Sequence, residues 1–93
     1  MEFEWDDEKE VENLRKHDVP FSYAINVFVD PLRRTYTDER FDYGEVRSVT
    51  RGMIDGTLYI VVHTDRFDRI RIISARPATR QERRAYGNSP HDH

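Results

Sequence analysis

Residues 46–76, VRSVTRGMIDGTLYIVVHTDRFDRIRIISAR, decide the fold. Val46–Met53 alternates, with Arg47, Val49, Arg51 and Met53 on one side. Thr57–Thr64 is apolar on both sides, Leu58, Ile60 and Val62 against Tyr59 and Val61. Alternation marks a strand with one wet face, and a doubly apolar run suits the centre of a sheet. Between them Asp55-Gly56 offers two residues that tolerate positive φ, as a tight type I′ hairpin requires. A turn at Asp65–Asp68 leads to Arg69–Arg76, a last strand that Pro77 stops.

Upstream, Leu32–Thr37 is a candidate strand, separated from this block by a polar loop at Asp38–Gly44. Phe21, Ala24, Ile25 and Phe28 fall at i, i+3, i+4 and i+7, the stripe of a helix lying on a core, with Pro20 at its start and Asp30-Pro31 ending it. A first helix runs from a cap at Asp6 or Asp7 to about His17; its thin apolar side is Val11 and Leu14. Glu2–Trp5 alternates as a short strand. Downstream, Thr79-Arg80-Gln81-Glu82 has capping-box spacing and predicts a short helix over Arg80–Tyr86, closed by Gly87. The expected fold is α+β: an antiparallel β-sheet with two N-terminal helices packed on one face and a short C-terminal helix, the other face left open for a ligand. Residues 1–87 read as a single domain and 88–93 as a flexible C-terminal tail.

With 93 residues the chain makes one modest core. It lacks cysteine, which removes disulfides, thiolate zinc sites and cysteine nucleophiles together. The pair His91 and His93 sits on the tail and carries little weight as a metal site, so no metal and no cofactor are expected. No apolar run nears the roughly 18 residues of a membrane span, and the acidic start MEFEWDDEKE is unlike a secretory signal. The expectation is a soluble, cytoplasmic protein with no membrane partner.

The formal charge of −3 hides a polarity along the chain. Seven acids and one lysine occupy residues 1–12, whereas residues 66–84 hold seven arginines against Asp68 and Glu82. Arginine's fork of donors matches phosphate and its plane stacks on bases, so the C-terminal third suits a polyanion. The competing reading is an ordinary charged surface with internal ion pairs.

Two long motifs narrow the choice. The first runs through Phe3, Trp5, Asp6, Lys9, Asn13, Lys16, His17, Val19, Phe21, Ala24, Val27, Phe28, Asp30 and Pro31. The second runs from Arg71 to Arg76 and on through Ala78, Thr79, Glu82, Arg83 and Tyr86, with Glu45, Arg47 and Gly52 between them. Over residues 3–86 the chain resembles the BrnT family of bacterial type II toxin–antitoxin toxins. It departs at Asp18, where the family pattern has Gly, and at Pro20, where a Ser cap is commoner. The resemblance implies a RelE-like fold, cleavage of messenger RNA that inhibits translation, and neutralisation by a BrnA-like antitoxin with a ribbon-helix-helix domain. It further implies a heterotetramer of two toxins and two antitoxins that represses its own operon, touching operator DNA only through the antitoxin.

Metal-independent RNA cleavage needs a group to take the 2′-hydroxyl proton, cations for the phosphorane's extra charge and an acid for the leaving 5′-oxygen. Arginine stabilises charge but is a poor base, which leaves His17, His63, Glu45 or Lys16 for proton transfer. His17 beside Lys16 is preferred; the alternative is that the pair complements the helix dipole. His63, on a central strand, reads as a core-edge residue. Arg47 and Arg76 are the expected charge stabilisers, the alternative for Arg76 being an ion pair. Arg71 lies an odd number of residues from Arg76, so a regular strand sends the two to opposite faces unless it bends. Arg80 and Arg83 are candidate RNA contacts or a solvated helix face, and Tyr86 a candidate base stack or a packing anchor. Arg76→Ala and His17→Ala are both expected to leave the fold intact. A reading of another class also stands: a non-catalytic scaffold in which the arginines dock an acidic, DNA-binding antitoxin.

Overall fold

The structure, a computed structural model, describes residues 1–38 and 44–87. Five strands, β1 (Glu2–Trp5), β2 (Arg34–Asp38), β3 (Arg47–Ile54), β4 (Thr57–Arg66) and β5 (Arg69–Pro77), form one sheet in the order β1-β5-β4-β3-β2. Helix α1 (Asp7–His17) and the short α2 (Phe21–Ala24) follow β1, and α3 (Arg80–Gly87) follows β5. The tail 88–93, with its His91 and His93, and residues 39–43 of the loop before β3 lie outside the described residues.

The hairpins form as their sequences dictate. Asp55 and Gly56 both take positive φ, 49° and 83°, and set the register in which Ile54 faces Thr57. The expectation of a wholly antiparallel sheet is corrected at one edge: β1 runs parallel to β5, Phe3 opposite Ile70 and Trp5 opposite Ile72. No hairpin constrains β1, and the rest of the chain supplies the long crossover that a parallel pair needs.

On one face, Val19, Phe21, Ala24 and Val27 pack on Ile54, Val61, Ile70, Ile72 and Ala75. The second helix is only partly α-helical, since Ile25–Val29 tightens into a 3-10 helix. Its β-branched Ile25, Val27 and Val29 are weak helix formers, and Asp30-Pro31 ends it. Pro20 gives α2 no side-chain cap of its own; the Glu10 carboxylate of α1 accepts the Phe21 N–H at 2.8 Å instead. Helix α1 buries a different side from the one its apolar residues mark. Val11 and Leu14 are exposed, and Asn13 is the buried residue.

The opposite face is not left open. Ala78 and Tyr86 cover Val49, Leu58 and Ile60 there. The Tyr86 hydroxyl donates to Leu32 O at 3.0 Å and to Asp30 Oδ2 at 3.2 Å. Asp30 also accepts the N–H groups of Leu32 and Met53, at 2.9 and 2.8 Å. Burial works to raise its carboxyl's pKa, but these hydrogen bonds outweigh it and the net shift is downward. One carboxylate thus ties together the 3-10 helix, β3 and α3. No described helix is long and apolar enough to cross a membrane.

Candidate active site

The obstacle to Arg71 and Arg76 sharing a face is removed by an irregularity in β5. His63 faces Ile72 and Val62 faces Ser74, so Ile73 is an extra residue, a β-bulge. Alternate residues Ile60, Val62 and Thr64 of β4 consequently oppose Arg76, Ser74 and Arg71. On the other side of β4, Ile60 opposes Arg51 and Val62 opposes Val49, and the alternation of β3 puts Arg47 on that same face. Four arginines, two on β3 and two on β5, therefore flank β4 on one side of the sheet, roughly 10 Å apart across two strand spacings. Their gathering is the geometry that a polyanion site requires.

Carboxylates set the orientation of two of them. Arg76 reaches Glu82 with both terminal nitrogens, at 2.7 and 2.9 Å. That contact, together with the Thr79 N–H, holds the Glu82 carboxyl down at about 2. Arg71 donates to Glu4 at 2.5 Å, and Arg69 adds a 3.3 Å contact to the same carboxylate. Hydrogen bonding to Arg71, more than that to Arg69, lowers the Glu4 pKa. The expected alternative for Arg76, an ion pair, is thus present in the structure. The Arg51 guanidinium lies over the Tyr36 ring, 5.4 Å from its centroid.

Lys16 and His17 end α1 and are exposed. They line a cleft of about 200 Å³ together with Lys9, Glu12, Asn13, Ile73 and Ser74. Glu12 draws Lys16 to 3.5 Å and also binds Arg15. Ser74 is the link, because it lines this cleft and stands between Arg71 and Arg76 on the arginine face. Among the larger hollows, two of about 480 and 380 Å³ lie around Met53 and Tyr86, with Arg83 as the one cation lining them among the described residues. A third of about 370 Å³ is lined by Arg66 and Arg69, and among the described residues none of the three holds a histidine.

Arg80 is exposed on α3, and Arg83, also exposed, donates to Ala78 O at 3.1 Å. Tyr86 is buried with its hydroxyl engaged, the position of an anchor. Glu45 pairs with Arg66 at 3.5 Å, away from the cleft residues. His63 is buried, with Nε2 2.8 Å from Thr50 Oγ1 and Nδ1 2.9 Å from Asp65 Oδ1. Burial lowers its pKa against a smaller upward pull from Asp65, so it rests as a neutral core residue.

Sequence reasoning gave no role to Asn13, which fixes the cleft. Its side-chain amide donates to Val19 O and Ala75 O, each at 2.9 Å, and its carbonyl accepts the Ala75 N–H at 3.0 Å. Where β1 stops, Asn13 stands in for the next strand and holds α1 against the bulged edge of β5. Its place in the first motif was its signal, while the apolar residues of α1 mark a different side of the helix.

A search of curated proteins returns no match. The family model described as ribonuclease toxin, BrnT, of type II toxin-antitoxin system matches residues 5–82, a span that runs from the cleft's helix through the arginine strands to Glu82. The chain belongs to the BrnT family of ribonuclease toxins.

Proposed function

We propose that this protein is an endoribonuclease toxin, RelE-like in fold, that cuts messenger RNA in the cytoplasm and inhibits translation. Cleavage proceeds without a metal: the RNA 2′-oxygen attacks the adjacent phosphorus as it loses its proton. The 5′-oxygen leaves with a proton, and the product ends in a 2′,3′-cyclic phosphate. His17, with Lys16 beside it, serves proton transfer in the α1–β5 cleft. Arg47 and Arg76, joined by Arg71, hold the phosphate's growing negative charge. Arg80 and Arg83 extend the cationic surface along α3. Tyr86 acts by anchoring that helix. The observation that carries this reading is Ser74, common to the histidine cleft and the arginine face.

An antitoxin partner goes with membership of a type II system. We take it to be a BrnA-like ribbon-helix-helix protein that covers the arginine face, assembles two-to-two with the toxin and carries the complex to operator DNA. The ion pairs of Arg71 and Arg76 also favour a second reading, in which those arginines serve partner docking and the toxin is a co-repressor scaffold.

Purified protein incubated with RNA in excess EDTA separates the readings. Fragments ending in 2′,3′-cyclic phosphate, reduced about 100-fold or more by His17→Ala, are the result expected of the enzyme. Intact RNA with undiminished antitoxin binding would leave the scaffold.

A further inference from the structure

We infer that Arg34, Tyr36 and Arg51 form a second nucleotide-binding subsite at the β2–β3 edge of the arginine face, where Tyr36 stacks on an RNA base and the guanidinium groups hold its flanking phosphate. The inference rests on the ribonuclease reading and extends the substrate beyond the cleaved bond.

Arg34 and Arg51 are register partners, directly opposite on neighbouring strands. The register thus sets two guanidinium groups side by side at this edge. Tyr36 is next on the same face, opposite Val49, and its ring is about half exposed (49%). The Arg51 guanidinium lies over that ring at 5.4 Å. Arg34 is exposed and Arg51 half-buried, so cationic side chains stand beside an accessible ring.

Across Ile60, which α3 covers, the row Arg34–Arg51 shares its register with Arg76 on β5, the proposed charge stabiliser. An aromatic ring between cations, beside a groove that holds the backbone, is the arrangement with which proteins grip single-stranded RNA. A strand of nucleotides brings a base for the ring and a phosphate for the guanidinium groups in one unit, which the carboxylate side chains of an acidic partner chain do not.

The test uses the full-length toxin and a single-stranded RNA carrying one 2′-deoxy nucleotide at the cut position, so that it binds without being cleaved. Tyr36→Ala and Arg51→Gln should each weaken binding about tenfold, within the range for loss of one stacked base. Tyr36→Phe should restore it, and Arg51→Gln should flatten the salt dependence by about one phosphate contact. With cleavable RNA the loss should fall on KM rather than kcat. Unchanged RNA affinity in folded Tyr36→Ala and Arg51→Gln proteins would overturn the subsite, as would weakened antitoxin binding alone. Neither result touches the nuclease reading, which falls only if the wild-type chain leaves cleavable RNA intact.

Discussion

Arg76 and Glu82 are joined by two parallel hydrogen bonds, and the same Glu82 carboxylate closes the capping box of α3 by accepting the Thr79 N–H at 2.8 Å. A proposed catalytic arginine is therefore also a clamp on the helix that covers its face. Arg76→Ala should consequently cost stability as well as activity, against the expectation from sequence that its removal leaves the fold intact. Glu82→Gln weakens the clamp and the cap, and should lower unfolding free energy by about 1–2 kcal/mol in urea titrations. The carboxyl sits at about 2 when folded against an ordinary 4.5. Its contribution is complete above pH 4.5 and disappears as the pH falls toward 2. The Glu82→Gln protein should lack that acid-sensitive component.

How far the sequence carried can be seen in these same residues. The capping box was legible because it is local: Thr79 Oγ1 accepts the Glu82 N–H at 3.1 Å, as the T-x-x-E spacing demands. The β3–β4 hairpin was legible because Asp55-Gly56 admits few turns. The bulge at Ile73 was not, since nothing in RIRIISAR marks an extra residue and its cause lies in pairing with β4. The parallel β1 and the inward side of α1 escaped for a related reason. Both depend on contacts with β5 more than sixty residues away, as in the Asn13–Ala75 bonds. The arginine types were readable, and their common face was not.

Asn13 makes a strong stability prediction. Asn13→Asp keeps shape and replaces two donors with acceptors that face the carbonyls of Val19 and Ala75. Leaving buried carbonyls opposed by a carboxylate should destabilise the protein by about 3 kcal/mol or more. Urea denaturation measures it, and a cost below 1 kcal/mol would show that α1 does not depend on this link.

Protonation of His63 should produce an earlier acid transition. Asp65 only accepts, so Nδ1 carries the proton, and neutral Nε2 accepts from Thr50, whose oxygen is 2.7 Å from Thr35 Oγ1. A second ring proton would reverse that chain in a buried site. The folded pKa lies below the ordinary 6.5, so the unfolded chain takes up the proton first and stability falls as pH drops from about 6.5. His63→Gln should be less stable at pH 7 yet flat between pH 6.5 and 5. A wild-type-like slope in that variant would assign the transition elsewhere.

Asp18 ends α1 in left-handed geometry, φ 57°, with its N–H bound to Leu14 O at 2.9 Å. Glycine adopts that conformation without the Cβ conflict. Asp18→Gly should raise stability by about 0.5–1 kcal/mol, read as an increase in Tm, with His17 next to it left in place.

Gly52 offers the most local test of how the core positions the arginine face. A Cβ there would stand 2.8 Å from Val27 O and 2.9 Å from Val27 Cβ, closer than atoms pack. Val27 is fully buried in the 3-10 helix, whose other side packs among the core residues, so the helix cannot retreat without opening that core. Gly52→Ala should therefore cost at least the roughly 1–3 kcal/mol of an overpacked core. A Gly52→Ala, Val27→Ala double variant keeps all three atoms that the new Cβ meets, because alanine retains Cα, Cβ and the carbonyl oxygen. The clash stays, so stability should not return; full recovery would show that the Val27 γ-methyl groups set the limit. Because Gly52 follows Arg51 in β3, a displaced strand also moves the guanidinium that lies over Tyr36. RNA affinity should fall with stability in the single variant, whereas Gly56→Ala, with no atom near its added Cβ and only its positive φ to strain, should lower stability and leave RNA affinity unchanged.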